Sequence, residues 1–164
     1  MAIEEMEDRM SQEILPARRE DIPALVGLMR VFYAEADFPL PEAAAARTFE
    51  ALIDQPALGQ VWLVTADGEP AGFVVLTVAF SMEYGGLRGF VDDFFIAPAF
   101  RRLGLGGAAL ASVQAECAAR GVRALLVETS HENERALRVY HAAGFTDTGH
   151  ALLKLALAPA VHES

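Results

Sequence analysis

The sequence predicts an α+β fold built on a central mixed β-sheet. Two stretches with helical apolar spacing come first, and strand-like runs joined by glycine-containing turns occupy the middle of the chain. From residue 87 onward the order is strand, helix, strand, helix, strand. No repeat or linker interrupts the chain, so one domain is expected over residues 13–158, with tails at 1–12 and 159–164.

The N-terminal part predicts a short edge strand and two helices. Pro16 limits the strand that begins at Glu13. The first helix, from residue 22, has apolar residues at i, i+3, i+4 and i+7, and the proline-containing residues 37–41 end it. The second helix, residues 42–54, is rich in alanine.

The rest of the chain predicts five strands and two further helices. Asp67-Gly68 and Gly85-Gly86 mark turns between successive strands. Gly121 and Gly144 are suited to follow the C-termini of the two helices. The predicted strands are 60–66, 71–80, 87–96, 123–128 and 151–157, and the predicted helices are 106–120 and 133–143.

Composition excludes several classes of function. The chain has 164 residues, 53% of them hydrophobic, which is enough for a packed core. Thirteen basic against 23 acidic residues give a net charge of −10, which disfavours nucleic-acid binding and suits a cationic partner. The longest apolar stretch, 71–80, is too short to span a membrane, and the acidic N-terminus is unlike a signal peptide. We therefore expect a cytoplasmic protein.

No metal site is expected. Cys117 is the single cysteine, which excludes an intrachain disulfide and a cysteine-based metal cluster. The four histidines lack the paired spacing that metal ligands show.

A glycine-rich turn predicts a site for a phosphorylated ligand. Residues 96–107 end a buried strand, pass through Arg101 and Arg102, and open a helix with three glycines. Glycine lets a backbone approach a ligand closely, and N–H groups at a helix start bind phosphate. The dinucleotide fingerprint Gly104-x-Gly106-x-x-Ala109 is matched, but it lies too far beyond the strand and too late in the chain for a dinucleotide fold.

Three motifs together resemble the GNAT superfamily of N-acetyltransferases. Arg101-x-x-Gly104-x-Gly106 resembles its acetyl-CoA pyrophosphate signature. Asn133-x-x-Ala136-x-x-x-Tyr140-x-x-x-Gly144-Phe145 resembles its second motif. Residues 91–98 resemble its fourth strand and are particularly similar to the spermidine/spermine acetyltransferases. The resemblance covers about residues 13–157.

The resemblance implies an α/β/α sandwich in which the fourth and fifth strands splay apart and hold the pantetheine arm of acetyl-CoA. The backbone of Phe94, Phe95 and Ile96 would bind pantetheine and the thioester oxygen. The pyrophosphate would lie on the following turn, and Asn133 and Ala136 would complete the coenzyme site. The turn residues implied are Arg101, Arg102, Leu103, Gly104, Leu105, Gly106 and Gly107.

The implied catalytic residues are Tyr140, as general acid toward the leaving thiolate, and Asp92, as the group that deprotonates or binds the amine. Without the motif, Tyr140 would be interpreted as a core tyrosine on the apolar face of its helix. Asp92 and Asp93 stand in an apolar strand, where charge is costly, and without a bulge only one can face the acceptor. They could also be structural, pairing with Arg88 or Arg123.

The acceptor site is implied to include Tyr33, Glu35 and Glu83 in addition to the two aspartates, although each of these three could be a solvated loop residue. His131 is an alternative base.

The implied function is acetyl transfer from acetyl-CoA to a primary amine of a small, cationic, diamine- or polyamine-like acceptor, by direct attack in a ternary complex. The alternatives are a protein, peptide or amino-acid acetyltransferase and a non-catalytic acyl-CoA-binding sensor. Family members often pair through the region of the last strand, 151–157, which is apolar on both faces here. We therefore expect a homodimer.

Overall fold

The computed structural model describes residues 10–159, and residues 1–9 and 160–164, most of the two expected tails, lie outside the described part. Within it the chain forms five strands and four α-helices. In chain order the elements are β1 (Gln12–Pro16), α1 (Ile22–Glu35), α2 (Glu42–Ile53), β2 (Gly59–Ala66), β3 (Glu69–Ser81), β4 (Gly86–Ile96), α3 (Leu105–Ala119), β5 (Ala124–Val127) and α4 (Glu134–Ala142).

The five strands form one mixed sheet in the order β1-β2-β3-β4-β5. Neighbours pair antiparallel except β4 and β5, which are parallel because α3 carries the chain back between them. This confirms the predicted α+β class and the mixed sheet. β1 starts at Gln12, inside the stretch expected to be a tail.

Each face of the sheet is covered by helices, which confirms the α/β/α sandwich. On one face, α1 and α2 pack Leu25 and Phe49 onto Phe73 and Phe95 of the sheet. On the other, α3 and α4 join a second core that includes Trp62, Leu76, Leu110 and Tyr140. β2 and the first part of β3 are buried on both sides, which explains their almost continuous apolar sequence.

The expected splay between the fourth and fifth strands is present. β4 and β5 pair only from Arg88–Ala124 to Val91–Val127. β4 then continues for five residues to Ile96 without β5 beside it. We call this free edge of β4, Asp92 to Ile96, the β4–β5 opening. Its backbone polar groups are placed to pair with an extended ligand.

The prediction of a last strand at 151–157 is wrong for this structure. These residues belong to none of the strands, and every described residue from 151 onward is exposed. Apolar alternation favours a strand, but a strand also needs a neighbouring edge to pair with, and residues 151–157 pair with no strand of the described sheet.

Candidate active site

A β-bulge in β4 sets the geometry of the site. Val75 of β3 pairs with Asp93, and the next residue, Leu76, pairs with Val91, so Asp92 is an extra residue without a partner in the ladder. A bulge interrupts the alternation of side chains between the two faces. Both carboxylates therefore lie on the side of the sheet that α1 covers. There the pKa of Tyr33 is raised mainly by burial, next by the charge of Asp93 and then by that of Asp92.

The two carboxylates differ in their surroundings. Burial is the main cause that raises the pKa of Asp93 to about 7, and the charge of Asp92 adds to it. Burial also raises the pKa of Asp92. Asp92 is nevertheless the more accessible of the two, because it is exposed and Asp93 is half-buried. Asp93 is therefore the group that can gain and lose a proton near neutral pH.

Tyr140 lies on α4 and is buried between Phe94, at 6.0 Å between ring centroids, and Phe145, at 5.6 Å. Burial, followed by the charge of Asp93, raises the pKa of Tyr140 to about 12. Tyr140 is thus a core residue whose pKa is affected by the charge of Asp93. The phenol keeps its proton at neutral pH, and neutralising Asp93 removes one of the two causes that hold its pKa up.

Asn133 positions the helix that carries Tyr140. Its side-chain oxygen accepts a hydrogen bond from the N–H of Ala136 at 3.1 Å, which is the N-cap expected from the sequence. Asn133 and Ala136 are therefore joined to each other at the start of α4.

The glycine-rich turn presents backbone donors. Gly104 has the left-handed conformation, with φ of 80°, and the first helical hydrogen bond of α3 runs from Ala108 N–H to Gly104 C=O. The N–H groups of Leu105, Gly106 and Gly107 precede that bond and have no partner within the helix. They point out of the helix start, where the helix dipole favours an anion.

Two glycines of this turn face different surroundings. A Cβ on Gly106 would lie 3.3 Å from the Phe94 ring and 3.5 Å from Val139, so glycine allows α3 to lie close to β4 and α4. A Cβ on Gly107 would meet no atom within 4 Å. Gly107 lines a cavity of about 500 Å³ between α3 and α4, together with Gln114 and Arg138. The sequence analysis did not predict this cavity. The one available signal was the position of Arg138, five residues after Asn133 on the predicted helix.

Arg101 is not free to reach a phosphate in this structure. Its guanidinium donates to both carboxylate oxygens of Glu35 at 2.8 and 3.0 Å, and its Nε donates to the Ile96 carbonyl at 2.8 Å. It also lies 5.6 Å from the centre of the Phe95 ring. Glu35 is in addition 4.0 Å from Arg135 of α4. The implied roles of Arg101 as a phosphate ligand and of Glu35 as an acceptor ligand stay predictions, and each would require this ion pair to open.

Arg102, in contrast, is exposed, with a positive φ of 65°, and remains available to a ligand beside the turn. The neighbouring Leu103 is also exposed, and its carbonyl accepts a hydrogen bond from Gln12 of β1.

Two other candidates lie apart from the β4–β5 opening. Glu83 is in the β3–β4 turn, and six strand residues at about 3.3 Å each separate the start of β4 from the bulge. Its implied place beside the acceptor stays a prediction, and the length of β4 separates it from the opening. His131 is exposed in the loop between β5 and α4. No group of His, Cys, Asp and Glu suited to hold a metal occurs among residues 10–159, and no helix there is long and apolar enough to cross a membrane.

The opened parallel pair and the glycine-rich turn are features that suit an enzyme with an extended, phosphorylated ligand such as coenzyme A. The acetyltransferase (GNAT) family model matches residues 25–145, and the chain belongs to this family. It is an acetyl-CoA-dependent N-acetyltransferase.

Its relatives include aminoglycoside acetyltransferases. Aminoglycoside N(6')-acetyltransferase type 1 of Stenotrophomonas maltophilia is 31% identical over 139 residues, which cover 82% of this chain and 86% of that protein. An integron cassette protein from the mobile metagenome of Cole Harbour Salt Marsh is 53% identical, with a TM-score of 0.85, over 92% of this chain and 93% of that one. Aminoglycoside N-acetyltransferase AAC(6')-Iy, solved with CoA, shares the fold at 21% identity and a TM-score of 0.80, over 93% of this chain and 99% of that one. The two acetyltransferases among these three proteins are named for aminoglycosides, and neither is named for spermidine or spermine.

Proposed function

We propose that the protein acetylates a primary amine of a small acceptor that carries several positive charges. The observation that carries this proposal is the bulged pair Asp92-Asp93, two carboxylates on one side of the β4–β5 opening with Tyr140 nearby. A diamine, a polyamine and an aminoglycoside all offer a reacting amine and a second ammonium group. The names of the aminoglycoside acetyltransferases among its relatives support this class.

The residues around the opening fit acetyl-CoA. The amides of residues 105–107 and the side chain of Arg102 would hold the pyrophosphate, and the cavity beside Gly107 and Arg138 would take the adenosine end. The free edge of β4 at Phe94, Phe95 and Ile96 would pair with the amides of pantetheine. When bound there, acetyl-CoA supplies the activated acetyl group.

The two aspartates would have different roles toward the amine. An alkyl ammonium titrates near the value of lysine, about 10.4, so the acceptor arrives protonated. Asp92, the more exposed acid, would bind an ammonium group. Asp93, whose pKa is about 7, would accept the proton of the reacting amine. The sequence analysis assigned the base to Asp92. The bulge and the deeper burial of Asp93 favour Asp93 as the base and Asp92 as the group that binds the ammonium.

The acetyl transfer itself needs one more residue. The amine nitrogen attacks the acetyl carbonyl carbon, a C–N bond forms, and the C–S bond breaks. Asp93 first releases the ammonium proton to water, which leaves a neutral amine and a free carboxylate. After the attack, Asp93 takes a second proton from the nitrogen as Tyr140 protonates the departing sulfur, and transfer of that second proton to Tyr140 restores both groups. Cys117 of α3 is buried in the same core as Leu76. A buried thiol is not suited to carry the acetyl group, which supports direct attack in a ternary complex.

Gly107→Asp should weaken CoA binding at least tenfold. The new carboxylate enters open space at the start of α3, where it suits the helix dipole but repels a pyrophosphate. Gly107→Ala is the matched control, since it fills the same space without charge, and it should bind CoA within about threefold of the parent. Calorimetry with CoA measures both. Equal affinity of the aspartate variant and the parent would remove the turn from the coenzyme site.

An acceptor panel with free CoA as the readout tests the proposed function. It contains aminoglycosides, diamines, monoamines of equal length, amino acids and a peptide with a free N-terminus. We expect the polycationic amines to have the highest kcat/KM. A peptide or an amino acid acetylated faster than every polycation would contradict the acceptor class and leave the acetyltransferase activity in place. The expected cytoplasmic location and homodimeric state complete the proposal.

A further inference from the structure

A chain of polar contacts joins the end of α1 to the end of β4. The Arg101 guanidinium donates to both carboxylate oxygens of Glu35, the last residue of α1, and its Nε donates to the Ile96 carbonyl. The Arg101 side chain is 19% exposed, whereas Arg30 of the surface pair Arg30–Glu42 is 59% exposed. Exposed ion pairs contribute little, but contact with two carboxylate oxygens and a further backbone acceptor fixes the guanidinium in one orientation.

The Ile96 carbonyl belongs to the edge of β4 that faces the β4–β5 opening. The next residue, Ala97, donates its N–H to the Ala71 carbonyl of β3 at 2.8 Å. Consecutive residues of a strand direct their polar groups to opposite edges. The N–H and C=O groups of Ile96, and those of Phe94 two residues before it, are therefore directed into the opening. Arg101 binds one of these four groups.

Glu35 also connects the two sides of the opening. Arg101 follows β4, and Arg135 lies in the first turn of α4, the helix that follows β5. The Glu35 carboxylate contacts both arginines, at 2.8 Å and 4.0 Å. One side chain of α1 is thus placed against the segments that leave β4 and β5, where the two strands have separated.

We propose that Glu35 is a positioning residue for the coenzyme: through Arg101 it holds the end of β4 in the extended form that the pantetheine arm needs. This role rests on the proposed coenzyme site. A ligand that pairs with Phe94 and Ile96 binds more tightly when these groups are oriented before it arrives, because less free energy is spent on ordering them. Arg101 accordingly acts at the pantetheine arm, and the amides of residues 105–107 bind the pyrophosphate without it.

Binding of two ligands to Glu35→Ala tests this role. CoA has both pantetheine and pyrophosphate, and adenosine diphosphate keeps the pyrophosphate but lacks pantetheine. In calorimetry, Glu35→Ala should bind CoA at least tenfold more weakly than the parent, because the unpaired Arg101 guanidinium turns to solvent, and should bind adenosine diphosphate within about threefold of the parent. Glu42→Ala, which removes the carboxylate of the exposed pair with Arg30, is the matched control and should bind both ligands like the parent. Circular dichroism checks that both variants are folded.

Three results would overturn the proposal. Equal weakening of both ligands would assign Arg101 to the pyrophosphate. Tighter binding of CoA would mean that Glu35 competes with the pyrophosphate for Arg101. Unchanged CoA affinity in folded Glu35→Ala would make the pair a stabilising contact only. If the coenzyme site itself were elsewhere, Gly107→Asp would also leave CoA affinity unchanged, which separates the two failures. No amine is present in these measurements, so the proposed acceptor class is untouched by them.

Two substitutions of Arg101 test the contact with Ile96 separately. The side-chain NH₂ group of glutamine is the same number of bonds from the backbone as the arginine Nε, so Arg101→Gln keeps a donor for the Ile96 carbonyl. Arg101→Met has a similar length and no donor, and both variants lack the charge. Arg101→Gln should keep CoA affinity within about threefold of the parent, and Arg101→Met should lose at least tenfold. Equal losses in the two variants would contradict positioning through the Ile96 carbonyl.

Discussion

Tyr140→Phe is expected to lower kcat by roughly 10²–10⁴-fold, the range for loss of a general acid. The substitution keeps the ring that packs on Phe94 and Phe145 and removes only the phenolic proton. Binding of acetyl-CoA and folding should therefore barely change. The departing thiolate, whose thiol has an ordinary pKa near 8.5, would then have to take its proton from water.

Tyr84→Phe is the matched control, because it removes the same hydroxyl from a tyrosine in the β3–β4 turn, away from the opening. It should leave kcat unchanged. The measurement is the steady-state release of free CoA at saturating acetyl-CoA, supported by a single-turnover experiment that isolates the chemical step. A chemical step in Tyr140→Phe within about threefold of the parent would assign Tyr140 to packing alone.

Asp93→Asn is expected to lower kcat/KM for the amine by about 10²-fold or more, the scale for loss of a general base. In the parent, kcat/KM should rise with pH through about 7, as Asp93 becomes able to accept a proton. Loss of the ammonium proton at higher pH adds a separate rise. Asp93→Asn should lose the bend near pH 7 and keep the rise that belongs to the amine.

Asp93→Asn should also change how the free energy of unfolding depends on pH. The pKa of Asp93 is raised in the folded protein from the ordinary value of 3.8 to about 7, so its favourable contribution is fully present below 3.8 and is lost as the pH rises to 7. About three pKa units at 1.36 kcal/mol each give up to about 4 kcal/mol. Between pH 4 and 8, the unfolding free energy of Asp93→Asn should therefore rise relative to the parent by up to about this amount.

Denaturant unfolding at several pH values measures this difference. Glu83→Gln is the control, since it removes a carboxylate in the exposed β3–β4 turn and should alter neither the stability profile nor kcat/KM. Parallel unfolding curves for Asp93→Asn and the parent across this pH range would mean that Asp93 titrates like an exposed carboxyl, and it would then be a poor candidate for the base.

The sequence was sufficient for the fold and for the parts of the site that depend on local signals. The α+β order followed from periodicity and turn residues, and the Asn133 cap and the glycine-rich turn are short-range features. The resemblance added the splay of β4 from β5, which no local pattern encodes. The bulge at Asp92 could not be predicted from the sequence, because it depends on the register of β3 against β4. The same two acidic residues could occur in a strand with or without a bulge.

The features that the sequence analysis did not foresee depend on long-range contacts. Arg101 is expected on a phosphate, and the structure adds that it is paired with Glu35, 66 positions earlier in the chain. Glu83 precedes β4 by a few residues, yet the length of the strand carries it away from the opening. Residues 151–157 have the pattern of a strand but pair with no strand of the described sheet. In each case the missing information is which surface a residue meets.

The ratio of kcat/KM for a diamine to that for a monoamine of equal length, measured in the parent and in Asp92→Asn, tests the central claim most directly. If the bulged acidic pair selects the acceptor, the parent should prefer the diamine by tenfold or more, because Asp92 binds the second ammonium group. In Asp92→Asn the ratio should fall toward one, while CoA affinity stays that of the parent. A ratio that is near one in the parent, or that is unchanged by Asp92→Asn, would contradict the claim that this carboxylate pair selects a polycationic amine.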